Sequence, residues 1–347
     1  MIESLSKYSV DIPDAEYHLH PAWSYSQISR YAREGFSAIQ EIHNPTTATP
    51  SMEFGSLVDA LLTQEGAVED MYIVSDTVPP PAEKAVLDLL LTKDSRNFDS
   101  LPESVIEGAM TECSYRGNLK FETRLSKLAE HKSYFDIRQS GKKVVSSADW
   151  NDALDMKKAI RENEYLSSLF GTENTDGAEY LYQMKLFFDV PITVDNKKQI
   201  VHMKAMLDLV KIDHDNKTVQ PIDLKTSAQP AYNFSESFVK YRYDIQASVY
   251  SRALKILMAN TKGYEDYKLL PYLFVDISRE DKVPVTYVYD PFNTEDADGF
   301  TFKDYKYKDW RTLLAEILTY EETEAQVPSY IKLNEPNDIK ALLNQKN

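Results

Sequence analysis

Between Gly177 and Leu224 the chain is written with the two-residue period of a sheet. Tyr180, Tyr182, Met184, Leu186 and Phe188 alternate with other residues, as they do when successive side chains point to opposite faces of a strand. Ile200–Ile212 predicts a second strand and Thr218–Leu224 a third. The polar run HDNKT, residues 214–218, predicts the hairpin turn between those two. Such a sheet needs covering, and the flanking segments are helical in pattern. SYSQISRYAREGFSAIQEIH opens with Ser24 and Ser26 as capping residues and carries Ile28, Tyr31, Ala32, Phe36 and Ile39 at helical spacing. Pro45 and Pro50 bracket a loop. Further helices are predicted over Met52–Leu62, Ala82–Leu91, Glu103–Thr111 and Glu122–Ala129, with a short strand at Met71–Val74. Ser146 or Ser147 caps a longer helix bearing Trp150, Ala153, Met156 and Ile160 on one face. After the strands comes a long helix over Tyr232–Met258, kinked near Tyr241. Strands at Leu269–Ile277 and Val283–Tyr289 and a helix at Trp310–Thr323 follow.

This order predicts an α/β (α+β) fold: a mixed central sheet flanked by helices, with a largely helical N-terminal half. The expected organisation is an arm over residues 1–20 and a single domain over 21–325. Within that domain, 21–170 is the helical portion, 171–290 the sheet core and 291–325 the C-terminal helix. A tail over 326–347 has little period. The 347 residues suffice for one large or two ordinary domains. No apolar run is long enough for a membrane span, and the first residues lack the basic start and apolar core of a secretory signal. Cys113 is the only cysteine, which excludes an internal disulfide framework, a four-cysteine zinc site and an iron–sulfur cluster. A reducing, cytoplasmic setting is expected. With 39 Lys and Arg against 55 Asp and Glu, the net charge of -16 is opposite to that of a generic nucleic-acid-binding surface. It does not exclude a local basic groove, or acidic side chains that hold a cation against phosphate.

The segment MKAMLDLVKIDHDNKTVQPIDLKTS, residues 203–227, carries the chemistry. A hairpin there sets Asp208 beside Asp223. Asp223 and Lys225 are two apart on one strand, so both face the same way. Two carboxylates and an ammonium converge, a hard-oxygen set suited to Mg²⁺, with Mn²⁺ as substitute. A lysine beside such an ion can orient or deprotonate an attacking water. Phosphodiester hydrolysis needs this set: a polarised phosphoryl oxygen, a positioned water and a cation near the developing charge. Asp-x-Lys alone also describes a surface charge pair at a strand end. The later segment YDIQASVY, residues 243–250, puts Gln246 and Tyr250 on one helical face, where both can hydrogen-bond a phosphate or the lysine. Lys204 and Arg242 flank these segments and are candidates for DNA-backbone contacts.

Asp208, Asp223-Leu224-Lys225-Thr226 and Gln246-x-x-x-Tyr250 together resemble the motifs of the PD-(D/E)XK nuclease superfamily. Within it the chain resembles the RecE-like, exonuclease VIII-type phage and prophage exonucleases. SYSQISRY, MEFGSLVDALL, GKKVVSSADWNDALDMKKAI and Glu179 follow that family's order of landmarks over about residues 20–255. The resemblance implies a metal-dependent nuclease degrading duplex DNA from an end, usually 5′ to 3′, as a ring-like homo-oligomer beside a single-strand annealing recombinase. It implies Asp208, Asp223 and the Leu224 carbonyl as metal ligands and Lys225 serving the water. Gln246 and Tyr250 fix phosphate or lysine, Glu179 assists a second metal or the water network, and Thr226 supports phosphate. The family's early helix carries Gly-x-x-x-His; here Gly55 is followed by Asp59 in the histidine's place. Asp59 is therefore expected as a ligand, harder than histidine and adding negative charge. A nuclease fold kept as a DNA- or protein-binding factor, and a structure-specific endonuclease, are the alternative readings.

Overall fold

The computed structural model describes residues 3–44, 48–64, 66–76, 78–94, 96–139, 141–293 and 299–323. Pro45 and the expected tail over 326–347 lie outside them. The chain packs as two compact units, one formed by Met1–Ser51 with Ile160–Asn347, the other by Met52–Ala159. The helical portion expected over 21–170 is thus divided between them.

In the first unit seven strands form one mixed sheet. They are β1 (Trp23–Ser24), β2 (Ala178–Val194), β3 (Lys197–Asp213), β4 (Thr218–Ser227), β5 (Lys268–Leu269), β6 (Tyr272–Ser278) and β7 (Pro284–Tyr289). The order is β1-β3-β4-β6-β7, with β2 paired to β3 and β5 to β4. β3 changes partner along its length. It pairs with β1 in parallel at Met203 and Lys204, and with β4 antiparallel from Leu209 to Asp213. Asp208 stands in the fork where those two partners diverge. β4 and β6 run parallel, with Lys225 beside Asp276.

Two departures from the expected strands have local causes. The strand expected over Leu269–Ile277 is split, because Pro271 has no N–H to give the ladder. The even-numbered apolar face holds from Met184 to Val194, but ahead of it Leu181 is buried, while Tyr180 and Tyr182 are only partly so. Gln183 lies between, at a positive φ of 49° that changes the facing of the strand.

Helices α1 (Tyr25–Glu34), α2 (Phe234–Tyr241), α3 (Tyr243–Ala259) and α4 (Trp310–Thr323) belong to the same unit. Ser24 opens α1, its N–H donating to Gln27 Oε1 at 2.9 Å. Ile28, Leu186, Leu207, Ala247, Leu254, Phe274 and Leu314 share one buried core. The kink expected near Tyr241 is a full break: Arg242 is left-handed at φ 57°, ψ 50°. The sequence pattern did not foretell the hairpin β8 (Gly299–Phe302) and β9 (Tyr305–Lys308).

The second unit is helical, with segments Pro81–Lys93, Glu103–Glu112, Phe121–Ala129 and Lys132–Arg138 around a core of Val86, Leu90, Ile106, Met110, Leu128 and Phe135. Tyr72–Val74 pairs in parallel with Lys143–Val145. Ser146 Oγ accepts the Asp149 N–H at 3.0 Å and caps the helix that follows, as expected. Among the described residues no helix is long and apolar enough to cross a membrane.

Candidate active site

The last pair on the β3–β4 ladder is Leu209 with Ile222, and Asp208 and Asp223 occupy the next position on each strand. As the strands part, the Leu224 N–H donates to a side chain, Asp208 Oδ2, at 3.1 Å. Asp223 is fully buried. Its Oδ2 lies 2.7 Å from Lys225 Nζ. Its Oδ1 accepts from Gln246 Nε2, with Tyr272 Oη at 3.5 Å. Gln246 turns its other end to the lysine: Lys225 Nζ donates to Gln246 Oε1 at 3.0 Å. One amide therefore grips both members of the Asp-x-Lys pair and fixes their spacing. The Tyr243 ring covers the ammonium at 4.7 Å. Burial, the largest influence, would depress the Lys225 pKa, but Asp223 together with Tyr243, Tyr25 and Asp208 outweighs it and the pKa is raised. Of the two roles expected for Lys225, its contacts with Asp223 and Gln246 suit orientation and charge stabilisation.

The site is ringed by tyrosines that the motif reading did not single out. Tyr25, Tyr243 and Tyr272 join Tyr250 around the carboxylates. The Tyr25 and Tyr250 rings meet edge to face at 5.3 Å. Burial first, then neighbouring tyrosines and the charges of Asp208 and Asp223, drive the Tyr250 hydroxyl pKa well above its usual value. The Tyr250 hydroxyl is neutral, and Gln246 is the one of the expected pair that hydrogen-bonds the lysine. Tyr243 had a signal: it stands three residues before Gln246 and seven before Tyr250, on one helical stripe.

A profile of the PD-(D/E)XK nuclease superfamily matches residues 22–328, a span that includes every residue of this cluster. The chain belongs to the PD-(D/E)XK nuclease superfamily. A comparison with curated proteins gives no match.

PD-(D/E)XK nucleases generally use divalent metals, and the donor set of this one fits such an ion. Among the described residues no three His, Cys, Asp or Glu side chains gather as a ready cage. Mg²⁺ does not need one: it is held by one or two carboxylates, and keeps several waters. Asp208 and Asp223 supply that number, from rigid strand positions. Asp59 lies half-buried on the helix Pro50–Thr63, in the helical unit.

Four expectations for this superfamily member are corrected by its geometry. Lys204 does not reach out to DNA: it is buried, and its Nζ donates to the carbonyls of Tyr17, His18 and His20 at 2.9, 2.9 and 2.7 Å. Those carbonyls close the turn after the helix Asp14–Leu19, and the ammonium caps it. Arg242 is likewise buried, forked on Asp244 at 2.9 and 3.0 Å and bonded to the Lys308 carbonyl at 2.6 Å. Glu179 pairs with Ile212, four residues along β3 from Asp208, roughly 13 Å at a strand's rise. It accepts from Ser4 Oγ and lies 3.9 Å from His214 Nε2, away from the Asp-x-Lys pair. Thr226 falls between Lys225 and Ser227 and, by strand alternation, lies on the opposite face of β4.

Asp276 was missed altogether. It is 2 % exposed, beside Lys225 in register, with Ser227 Oγ at 3.4 Å from Oδ2 and no hydrogen bond to Oδ1. Burial raises its pKa to about 6, against the opposing pull of Ser227 and Lys225. Between the ordinary 3.8 and about 6 the folded state holds a proton that the unfolded state releases. Stability must therefore fall as pH rises through that window, by about 3 kcal/mol for a shift of this size. Asp276→Asn should raise stability by nearly that amount at about pH 8 and by little at about pH 4. Urea unfolding at the two pH values checks this, and an equal gain at both would refute the assignment.

Proposed function

We infer that the protein is a Mg²⁺-dependent deoxyribonuclease, acting 5′ to 3′ from the ends of linear duplex DNA in phage-type recombination. The observation that carries the nuclease reading is the Asp223–Lys225–Gln246 unit, with Asp208 beside it in the fork of the sheet. End-directed action, a ring-like oligomer, an annealing recombinase as partner and a cytoplasmic setting rest on the RecE-like order of landmarks over about residues 20–255. Asp208 and Asp223 would hold the ion with the Leu224 carbonyl. When bound, the ion polarises the phosphoryl oxygen and makes water a stronger nucleophile. Lys225, protonated, holds the attacking water in line and offsets charge that develops on the phosphate. Gln246, bonded to both Asp223 and Lys225, would hold the lysine in place with the ion bound. Tyr250 and Tyr25 offer neutral hydroxyls to phosphate oxygens.

Purified protein incubated with labelled linear duplex and with covalently closed circle, in Mg²⁺ or chelator, tests the reading. Expected is release from the linear duplex alone, in Mg²⁺ alone. Cleavage of the circle would make it an endonuclease. Intact substrates under Mg²⁺ and Mn²⁺ would leave a binding factor on a nuclease fold.

A further inference from the structure

An aromatic stack runs from the catalytic lysine to the surface across the break between α2 and α3. Tyr243, over Lys225, stacks on Phe274 with centroids 5.8 Å apart and planes at 27°. It also stacks against Tyr241, at 5.7 Å and 28°. Tyr241 is 38 % exposed, so the stack ends in solvent. This contact needs explaining, because residues two apart on a continuous helix do not face each other. The left-handed Arg242 between them makes it possible, and a non-glycine residue holds that conformation only at a steric cost. Arg242 is locked there by Asp244 and the Lys308 carbonyl. Strain of this kind is retained where a site needs it.

The surroundings suit an anionic, flat ligand. Lys240 is exposed and lies 5.1 Å from the Tyr241 ring. Arg242 ties in the β8–β9 hairpin, whose Phe300 and Tyr307 stack at 4.8 Å and 6° beside its guanidinium. Tyr305, half exposed, meets Tyr307 at 4.6 Å, and Lys303 and Lys306 are exposed on the same hairpin. Among the described residues Lys240, Lys303 and Lys306 form no ion pair, in a chain of net charge -16.

We propose that Tyr241, with Lys240 and the β8–β9 hairpin, is a stacking platform for an unpaired base of single-stranded DNA next to the cleavage site. The proposal builds on the nuclease reading and names the form of substrate that the site receives. A paired base already stacks on its neighbours, so a ring at the surface gains from a strand that is unpaired, and any base serves because every base has a π-face. The lysines meet the flanking phosphates.

The test is binding of a dye-labelled oligothymidylate by anisotropy, in chelator so that nothing is cut. Tyr241→Ala and Tyr241→Leu should weaken binding about 5- to 150-fold, the range of one base–aromatic stack. Tyr241→Phe should bind as wild type does. Lys240→Ser and Lys306→Ser should each reduce the slope of log affinity against log salt by about 0.7. Tyr241→Leu keeps apolar packing, and an unchanged melting temperature shows that it folds. Equal affinity of Tyr241→Leu and wild type would overturn the platform, as would a wild type that binds only blunt duplex. The two readings separate cleanly: Tyr241-dependent binding without cleavage in any metal sinks the nuclease and keeps the platform. Cleavage with Tyr241-independent binding does the reverse.

Discussion

Lys225→Met should lower the single-turnover rate of DNA hydrolysis by about 10²–10³-fold, the usual loss when one preorganised charge-stabilising donor is removed. The expectation follows from where the ammonium is held. It is 2.7 Å from Asp223, 3.0 Å from Gln246 Oε1 and 4.7 Å from the Tyr243 ring, in a position with little freedom to wander. Methionine matches its apolar stem but ends one atom short, with no charge and no proton to donate. DNA affinity in chelator should change little, because a single shielded cation contributes little to phosphate binding beside exposed lysines. The loss therefore belongs in the rate and not in the binding constant. Lys225→Arg should not rescue it, because a guanidinium fork cannot take the place of a compact ammonium between Asp223 and Gln246. Rates measured at saturating enzyme, with the melting temperature of each variant recorded alongside, decide it. A Lys225→Met protein as fast as wild type would mean that this lysine is only a structural counter-ion.

The part of this site that local rules reach could be read from the sequence. Asp223 and Lys225 share a face because strands have a period of two. Asp208 joins them because a polar turn folds its strand back beside theirs. Gln246 was reachable by its spacing from Tyr250. Trp310–Thr323 has the bounds expected of it because its apolar period is uninterrupted. Long-range partners were not reachable. Lys204 reads as a solvated cation, yet its acceptors are carbonyls more than 180 residues away. Arg242 misleads in part for the same reason: Asp244, two residues on, takes up its charge, but the Lys308 carbonyl that completes its burial lies on a distant hairpin. Glu179 carries the right chemistry, but it stands four positions too far along the ladder to join Asp208. Tyr25, Tyr243 and Tyr272 were hidden among 23 tyrosines, most of which a sheet protein would place in its core. Asp276 was hidden in an apolar strand, where only burial and the neighbouring β4 reveal that an acid lies beside the lysine.

Asp223→Ala should destabilise the fold by about 3–5 kcal/mol, more than a small surface change ever does, because it strands an ammonium that is only 18 % exposed. Asp223 opposes the effect of burial on Lys225; take that carboxylate away and only Asp208 and the neighbouring tyrosines are left to oppose it. Gln246 also loses its acceptor at Nε2. The double variant Asp223→Ala with Lys225→Met should recover a large part of the loss, since removing both members of a buried pair costs far less than breaking it. Activity separates from stability here: both variants should be inactive, and only the single one severely unstable. Mg²⁺ adds a third reading. A ligand that binds only the folded state stabilises it by mass action, about 2.7 kcal/mol at a hundredfold excess over its dissociation constant. Wild-type protein should therefore melt higher in Mg²⁺, and neither variant should. Chemical denaturation of the three proteins, with and without Mg²⁺, contains every comparison. Single and double variants of equal stability would show that Asp223 and Lys225 are not coupled. A Mg²⁺ shift that survives Asp223→Ala would put the ion elsewhere, and with it the chemistry.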